Sequence, residues 1–386
     1  MFVDYGLTEE QKILKDLCRQ IAESKIKPIS QEFDEKDEMP WQVMKVLAQS
    51  DLFAICMPQE YGGMGGGLMD LCIATEEFSR IDGGVAAAYA ASFLGMFPIL
   101  LFGTDEQKKK YLPPIAKGEK LTAFGLTEPE AGSDASNIKT FAKKQGDYYL
   151  LNGTKHFITN GGDAEIYIVI AVTDKKKGAR GISAFILEKD MKGFSFGKKE
   201  DKMGIRASST RELIFNDVKV PRENLLGDRE GAGFIVTMKT FDQSRPGVAA
   251  QAVGIAQGAL EIALEYGHQR VQFGKPITSF QGIQWMLADM ATKVEAARSL
   301  VYSVASMVDR RVKDVGAASA AAKLFASDVA MQVSTDAVQI MGGYGYMKEY
   351  GAEKFMRDAK ITQIYEGTNQ IQKNIIALNL IKKYTK

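Results

Sequence analysis

The hydrophobic period changes twice along the 386 residues, and these changes constrain the fold more than any other feature. From about residue 121, short apolar segments replace the helical spacing, among them Ile166–Val172 and an alternating stretch that ends at Pro221. Asn152-Gly153, between two apolar segments, predicts a two-residue hairpin turn because these residues adopt positive φ angles readily. No helical crossover separates the strands, so we predict a mainly antiparallel sheet and not a doubly wound nucleotide fold.

Helical periodicity lies on both sides of this β segment. Thr8 and Gln11 form a capping-box pattern, and Thr104 and Gln107 form a second one, which opens a helix ahead of Pro113. After Gly233, a stripe at intervals of three and four predicts a helix of more than twenty residues in a bundle. The members of this stripe are Met286, Met290, Val294, Ala297, Val301, Val304 and Val308.

The order of these segments predicts an α+β fold in three domains. Residues 1–120 form an N-terminal helical domain, residues 121–232 a central β domain, and residues 233–386 a C-terminal domain that resembles a four-helix bundle. The glycines of residues 61–67 do not fit a dinucleotide-binding pattern and follow no clear strand. We interpret this segment as a flexible connection.

Composition excludes several classes of function. The formal charge of +1 gives no general attraction for nucleic acid. The three cysteines form no C-x-x-C pair, and only two histidines are present, which argues against a metal site. The start of the chain shows no targeting segment, and no run approaches the roughly 18 apolar residues of a membrane helix. We therefore expect a cytoplasmic protein that binds no metal, nucleic acid or membrane.

Three segments carry residues suited to chemistry. Residues 125–134, GLTEPEAGSD, concentrate hydroxyls and acids that can bind a heterocycle or a phosphate. Residues 339–346, QIMGGYGY, contain glycines that let backbone amides approach a ligand. In residues 364–371, IYEGTNQI, apolar and small neighbours would raise the pKa of Glu366 and suit it to proton transfer. Singly, the first segment is better explained by a turn between a helix and a strand, and a tight turn between helices explains the second about equally well. A lone glutamate such as Glu366 is far more often a surface or capping residue.

In this order and at these spacings, the three segments resemble the acyl-CoA dehydrogenase family. GLTEPEAGSD is similar to the family's first diagnostic pattern, QIMGGYGYMKEYGAEKFMRDAK to its second, and IYEGTNQIQ to its catalytic segment. The resemblance covers essentially the whole chain, and Asn137 departs from the first pattern, which usually has a small residue there. It implies the family fold, with FAD between the β domain and the C-terminal helices and the acyl thioester between the flavin and the glutamate.

The resemblance also implies which residues bind FAD. Those along the flavin are Phe124, Leu126, Thr127, Gly132 and Ser133. Those against its other face are Phe157, where the family commonly has tryptophan, Ile158 and Thr159. Those that reach the FAD of a neighbouring subunit are Arg270, Gln272, Phe273, Gln281, Gln339, Gly342 and Gly343. Those that turn back toward the cofactor are Thr368, Asn369 and Gln370. Shared sites imply a homo-oligomer, usually a tetramer built as a dimer of dimers.

Catalysis falls to Glu366 by the same resemblance. It would remove the α-proton of the acyl-CoA while the β-hydride passes to FAD, and its backbone N–H would help to stabilise the thioester oxygen. Some relatives carry the base beside Arg245, where this chain has Ser244, so no rival carboxylate is apparent. The implied substrate-binding residues are Ser133, Asp242, Arg245, Tyr365 and Gly367.

The acyl group is predicted to be neutral. Glutaryl-type enzymes have an arginine where this chain has Val85, and the following alanines suggest room for a short or medium chain or a compact alicyclic ring. The same alanines would also serve simply to pack helices. Electrons would pass to an electron-transfer flavoprotein. The alternatives are a flavin oxidase of the same fold that uses oxygen, and a noncatalytic FAD-binding relative, which the retained Glu366 and balanced charge disfavour.

Overall fold

The computed structural model describes residues 3–385, and its N-terminal part is helical. Both predicted capping boxes are present, at Thr8 with Gln11 and at Thr104 with Gln107. Residues 1, 2 and 386 lie outside the described residues. Residues 1 and 2 are part of the predicted first domain and of the start for which no targeting segment is predicted, and residue 386 is part of the predicted third domain. The helices are α1 Glu9–Ile21, α2 Ser30–Lys36, α3 Trp41–Gln49, α4 Leu68–Ser79, α5 Gly83–Phe102 and α6 Asp105–Ala116.

The sequence predicts that helix α6 ends ahead of its prolines, but the helix continues through them to Ala116. Pro113 and Pro114 lie within its last turn. A proline in a helix leaves the carbonyl four residues earlier without its N–H partner. Those carbonyls belong here to Lys109 and Lys110, which are exposed, so water can bond to them.

The glycine-rich segment 61–67 is closely packed rather than a loose connection. A Cβ atom at Gly63 would clash with the carbonyl oxygen of Met57, and one at Gly67 would clash with the carboxylate of Asp309. That carboxylate accepts hydrogen bonds from the backbone N–H groups of Leu68 and Met69 at 2.6 and 3.0 Å. The glycines thus let the start of α4 dock against the C-terminal helices.

The central sheet has seven strands and is mainly antiparallel, which confirms the prediction. The strands are β1 Thr122–Gly125, β2 Phe141–Gln145, β3 Tyr148–Thr159, β4 Ile166–Val172, β5 Ile182–Glu188, β6 Phe194–Lys199 and β7 Thr210–Pro221. Their order is β1-β4-β2-β3-β7-β6, with β5 paired to β4. Only the pairings of β4 with β1 and β2 are parallel.

The prediction of a hairpin turn at Asn152-Gly153 is wrong. Strand β3 runs straight through both residues, and the register shifts there against β7, which is a β-bulge. The Asn152 amide exchanges two hydrogen bonds with Asp217, both at 2.9 Å, and these hold the bulge in place. The two-residue turn lies instead at positions 146–147, between β2 and β3, where Gly146 supplies the positive φ of 64°.

Five helices and a short two-stranded sheet complete the part of the chain that the structure describes. The helices are α7 Gly233–Gln269, α8 Gln281–Asp309, α9 Gly316–Met341, α10 Ala352–Thr362 and α11 Asn369–Tyr384, and the strands are β8 Val271–Gln272 and β9 Lys275–Pro276. The predicted apolar stripe is on α8 and is buried from Met290 to Val308. Helix α7 packs against α4, α5, α8 and α9, which places it at the centre of the helical part.

Within residues 3–385, two helices are long and apolar enough to cross a membrane, so the prediction that no such run exists is wrong. They are α5 and α7, whose apolar windows are 67% and 78% buried inside the protein. Length and composition alone give weak support for a membrane span, because a core helix passes the same test. The burial of both helices is that of core helices.

A buried ion cluster connects the three parts of the chain. The ammonium group of Lys354 on α10 lies 2.7 Å from Asp358 and 3.2 Å from Asp82. Asp82 also caps the start of α5 by accepting from the N–H of Gly84 at 2.8 Å, and Asp358 accepts from the N–H of Ile205 at 2.5 Å. The cluster therefore fixes α5 and α10 relative to the loop between β6 and β7.

Candidate active site

A cavity of about 140 Å³ lies where the helical and β parts meet. Among the described residues, its lining is mostly apolar and contains no Lys or Arg, and Glu366 is its one carboxylate. Helix α5 contributes one wall, the ends of β1 and β3 a second, and α7 a third. The lining residues are Leu71, Ala87, Ala90, Ala91, Phe93, Leu94, Phe97, Phe124, Leu126, Thr127, Phe157, Ile158, Thr159, Phe241, Ser244, Gly247, Val248, Gln251, Tyr365 and Glu366.

Glu366 lies in a strained turn between α10 and α11. Its φ is +50° and that of Gly367 is +93°, both in the left-handed region. For a residue other than glycine this conformation costs on the order of 1–3 kcal/mol and persists only where the surroundings impose it. Gln372 donates to the carbonyls of both residues, at 3.1 and 2.7 Å, and Arg245 Nε donates to that of Glu366 at 3.2 Å.

The carboxyl group of Glu366 has a pKa suited to proton transfer near neutral pH. Burial raises its pKa to about 7, while the Ser244 hydroxyl, Arg245 and Lys323 act in the opposite direction. The Ser244 hydroxyl donates to the carboxylate at 2.5 Å. Glu366 keeps some exposure where it borders the cavity. Its carboxyl group, however, is surrounded by apolar side chains and α7, so desolvation is the dominant effect on its pKa.

A buried ion pair holds the β side of the cavity. Lys155 Nζ lies 2.7 Å from Glu128 and donates to the carbonyl of Leu126 at 2.9 Å. The N–H of His156 donates to the carbonyl of Thr127 at 2.8 Å, so the loop after β1 is fixed to β3. Phe157 follows with a φ of +58° and is 60% exposed. Its ring therefore stands at the edge of the cavity.

A second cavity of about 490 Å³ lies at the far end of α7. The guanidinium of Arg270 stacks over the ring of Tyr344, 5.1 Å from its centroid. Cβ atoms at Gly342 and Gly343 would meet open space. The lining residues are Tyr266, Arg270, Gln272, Ile277, Ile340, Met341, Gly342, Gly343, Tyr344 and Met347.

The predicted site residues fall into three sets. The first cavity includes Phe124, Leu126, Thr127, Phe157, Ile158, Thr159, Tyr365 and Glu366, and the second includes Arg270, Gln272, Gly342 and Gly343. Outside both linings are Gly132, Ser133, Asp242, Arg245, Phe273, Gln281, Gln339, Gly367, Thr368, Asn369 and Gln370. Of these, Thr368 caps α11, and Asn369 bonds to Lys323, Ser327 and Asp328.

Three polar residues around Tyr365 and Glu366 escaped the sequence analysis: Gln251, Lys323 and Gln372. Gln251 accepts a hydrogen bond from the hydroxyl of Tyr365 and donates to the carbonyl of Gly83 at 2.8 Å. Lys323 and Gln372 are completely buried and donate to the Glu366 turn. For Lys323 a signal existed, since it is a lone charge within the apolar run Ala320–Ala326.

The comparisons with known proteins agree with this architecture. Family models for the N-terminal, middle and C-terminal domains of acyl-CoA dehydrogenase match residues 8–119, 123–218 and 231–381. A short-chain specific acyl-CoA dehydrogenase of Clostridium acetobutylicum is 49% identical over 97% of this chain and 99% of its own length. The chain thus belongs to the acyl-CoA dehydrogenase family. It is an FAD-dependent acyl-CoA dehydrogenase.

Two solved structures are similar over nearly the whole chain. The butyryl-CoA dehydrogenase of Megasphaera elsdenii has a TM-score of 0.95 and 50% identity, covering 98% of this chain and 100% of that one. A structure from work on the electron transferring flavoprotein of Acidaminococcus fermentans and flavin-based electron bifurcation has a TM-score of 0.96 and 52% identity. It covers 98% of this chain and 99% of that one.

The residues present fit an FAD group. The first cavity offers an exposed aromatic ring at Phe157 and the hydroxyls of Thr127 and Thr159, which suit the face and edge of a flavin. The second offers a guanidinium at Arg270 beside glycines whose missing side chains leave open space, which suits a pyrophosphate. When bound, FAD supplies the acceptor for a hydride.

Proposed function

We propose that this dehydrogenase oxidises short-chain, neutral acyl-CoA thioesters and that Glu366 is the base. The observation that carries the proposal is a single carboxylate, desolvated and hydrogen-bonded by Ser244, on the wall of an otherwise apolar cavity. A carboxylate with its pKa near the working pH combines adequate basicity with a large deprotonated fraction. The test is the Glu366 substitution described in the Discussion.

The reaction moves one proton and one hydride. Glu366 forms a bond to the α-proton, the electron pair of that C–H bond becomes the new carbon–carbon double bond, and bound FAD would supply the acceptor for the β-hydride. The N–H of Glu366 makes no hydrogen bond within residues 3–385, whereas the carbonyls of the turn are bonded. This free N–H supports a role in polarising the thioester oxygen, because donors aimed at developing charge lower the barrier.

A neutral acyl group is supported by the lining of the first cavity. A distal carboxylate would need a cationic partner, and the residues of that lining include none. Val85 is buried but stands outside the lining. The named activities of the butyryl and short-chain relatives agree with a short chain. An alicyclic substrate stays a prediction, which an anaerobic comparison of straight-chain and alicyclic thioesters would decide.

The Leu94→Ala substitution should extend the range of accepted chains. Leu94 is half-buried and lines the cavity from α5, so its truncation opens space for about two further methylene groups. Each methylene contributes about 0.8 kcal/mol on burial, so the kcat/KM for hexanoyl-CoA, which is two methylenes longer, should rise roughly tenfold relative to butyryl-CoA. The measurement is the steady-state rate across a series of chain lengths. Leu100→Ala, half-buried on the same helix but outside the lining, is the control and should leave the preference unchanged.

The Ser244→Ala substitution should move the pH profile of catalysis upward. Only the carboxylate form of Glu366 is a base, so the rate should rise with pH through about 7. The Ser244 hydroxyl stabilises that charged form, and its removal raises the pKa of Glu366 further. The limb of flavin bleaching against pH should therefore shift to higher pH, with the alkaline plateau retained. Thr240→Val, which removes a buried hydroxyl one turn earlier, should not shift it.

Electron transfer to an electron-transfer flavoprotein and assembly into a tetramer are part of the same proposal. The similarity to the structure from the Acidaminococcus fermentans work supports the first. The two cavities contain different predicted FAD residues and lie apart along α7. This separation supports a site shared between subunits. Rapid oxygen consumption by the reduced enzyme would favour the oxidase alternative, and a monomer by light scattering would remove the shared site.

A further inference from the structure

Lys323 is a fully buried lysine in contact with the turn that carries Glu366. It lies on α9, and its ammonium group donates to the carbonyl of Gly367 at 2.9 Å and to Oδ1 of Asn369 at 2.8 Å. Both acceptors are neutral. Burying an ammonium group is costly without an opposite charge nearby, and burial lowers the pKa of Lys323 to about 7. Glu366 exerts the largest opposing electrostatic effect.

Few charged groups face Glu366 from the elements packed around it. Arg245 on α7 and Lys323 on α9 act on it directly. Asp242 acts on Arg245, and Asp328 acts on Lys323. The contribution of α11 is the neutral amide of Gln372, and the cavity lining from α5, β1 and β3 carries no charge. Among the described residues, Arg245 and protonated Lys323 are therefore the cationic groups that act on Glu366 directly, and each also has an acidic neighbour of its own.

We propose that Lys323 is a positioning residue for the base: it fixes the Gly367 carbonyl and Asn369, and its positive charge favours the carboxylate form of Glu366. The inference rests on the proposed role of Glu366. Arg245 and Gln372 already hold the Glu366 carbonyl, so Lys323 adds the hydrogen bonds to Gly367 and Asn369 and a second positive charge close to the turn.

A purely structural role would require only a hydrogen-bond donor. Asn369 has further partners in Ser327 and Asp328, at 3.0 and 2.8 Å, which anchor α11 independently. A neutral donor would then replace Lys323 without loss. The two roles therefore separate in a pair of variants: Lys323→Gln keeps an amide donor without the charge, and Lys323→Met removes both.

The experiment measures the protonation of Glu366 in two ways on the holoenzyme. Infrared difference spectroscopy follows the carboxylic acid band that Glu366→Gln removes, and stopped-flow absorbance follows anaerobic flavin bleaching by butyryl-CoA against pH. In both Lys323 variants we expect the midpoint of each titration to rise by about one pH unit, since a nearby opposite charge shifts a carboxyl by that order. Bleaching at a pH below the limb should fall about tenfold, with the alkaline plateau retained in Lys323→Gln.

Lys373→Met is the matched control, because Lys373 is an exposed cation next to Gln372 on α11. It should leave both midpoints in place. Unchanged midpoints in Lys323→Gln and Lys323→Met, in an enzyme that Glu366→Gln inactivates, would overturn the role of Lys323 alone. Normal bleaching by Glu366→Gln would overturn the base and the role of Lys323 together. The infrared band does not depend on turnover, so a slow variant still gives a result.

Discussion

Glu366→Gln should reduce the rate of flavin bleaching by butyryl-CoA by about 10⁴-fold, which is the upper range for loss of a general base. Glutamine has nearly the shape of glutamate and its amide can still bond to Ser244, but it cannot accept the α-proton. FAD content and acyl-CoA binding should therefore be preserved. The measurement is anaerobic stopped-flow absorbance of the oxidised flavin after mixing with substrate.

The control for this variant is Glu349→Gln, an exposed glutamate of the same region that contacts neither cavity. It should bleach at the wild-type rate. Binding of acyl-CoA is measured separately, by the spectral shift of the oxidised flavin on addition of ligand. Bleaching by Glu366→Gln at a normal rate, with ligand bound, would show that another group removes the proton.

Lys354→Met should destabilise the protein by about 3–5 kcal/mol, the cost of leaving a buried charge without its partner. Removal of the ammonium group leaves Asp82 and Asp358 facing each other in a buried site. Burial already raises the pKa of Asp358, so the unpaired cluster would take up a proton at further cost. The thermal midpoint measured by circular dichroism should fall by several degrees.

Lys360→Met on the same helix is the matched comparison. Lys360 is exposed, and its ammonium group bonds only to Gln363 among the described residues, at 2.9 Å. Its substitution should leave the midpoint nearly unchanged. A Lys354→Met protein as stable as the wild type would mean that the two carboxylates find other partners. Because Asp82 caps α5, we also expect the Lys354 variant to bind substrate less tightly.

Much of the fold was predictable because long periodic segments leave little choice. The helices of both ends, the buried strands β4 and β5 and the antiparallel sheet follow from spacing alone. The errors arose where tertiary contacts decide. Asn152-Gly153 has the composition of a turn, yet its pairing with Asp217 makes it a bulge. The uncharged helix α5 is buried by its neighbours, which no local pattern reveals.

The candidate site was only partly predictable. Glu366 could be singled out from its sequence context, and the structure places it at an apolar cavity. The residues that hold it are between 6 and 122 positions away in sequence, as with Gln372 and Ser244. Many residue types can donate a hydrogen bond to a backbone carbonyl, so such donors leave no motif that can be recognised in a single sequence. The raised pKa likewise depends on burial by separate elements.

Helix α7 has one further consequence. Ser244 borders the first cavity and Tyr266 the second, and the 22 residues between them on a helix span about 33 Å. Cavities so far apart do not form one small-molecule site within a protomer. If each receives part of a different FAD, as the proposed shared site requires, a correctly folded single chain holds parts of two FAD sites and neither of them complete. Dissociation of the subunits on dilution, without any unfolding, would then be enough to abolish activity.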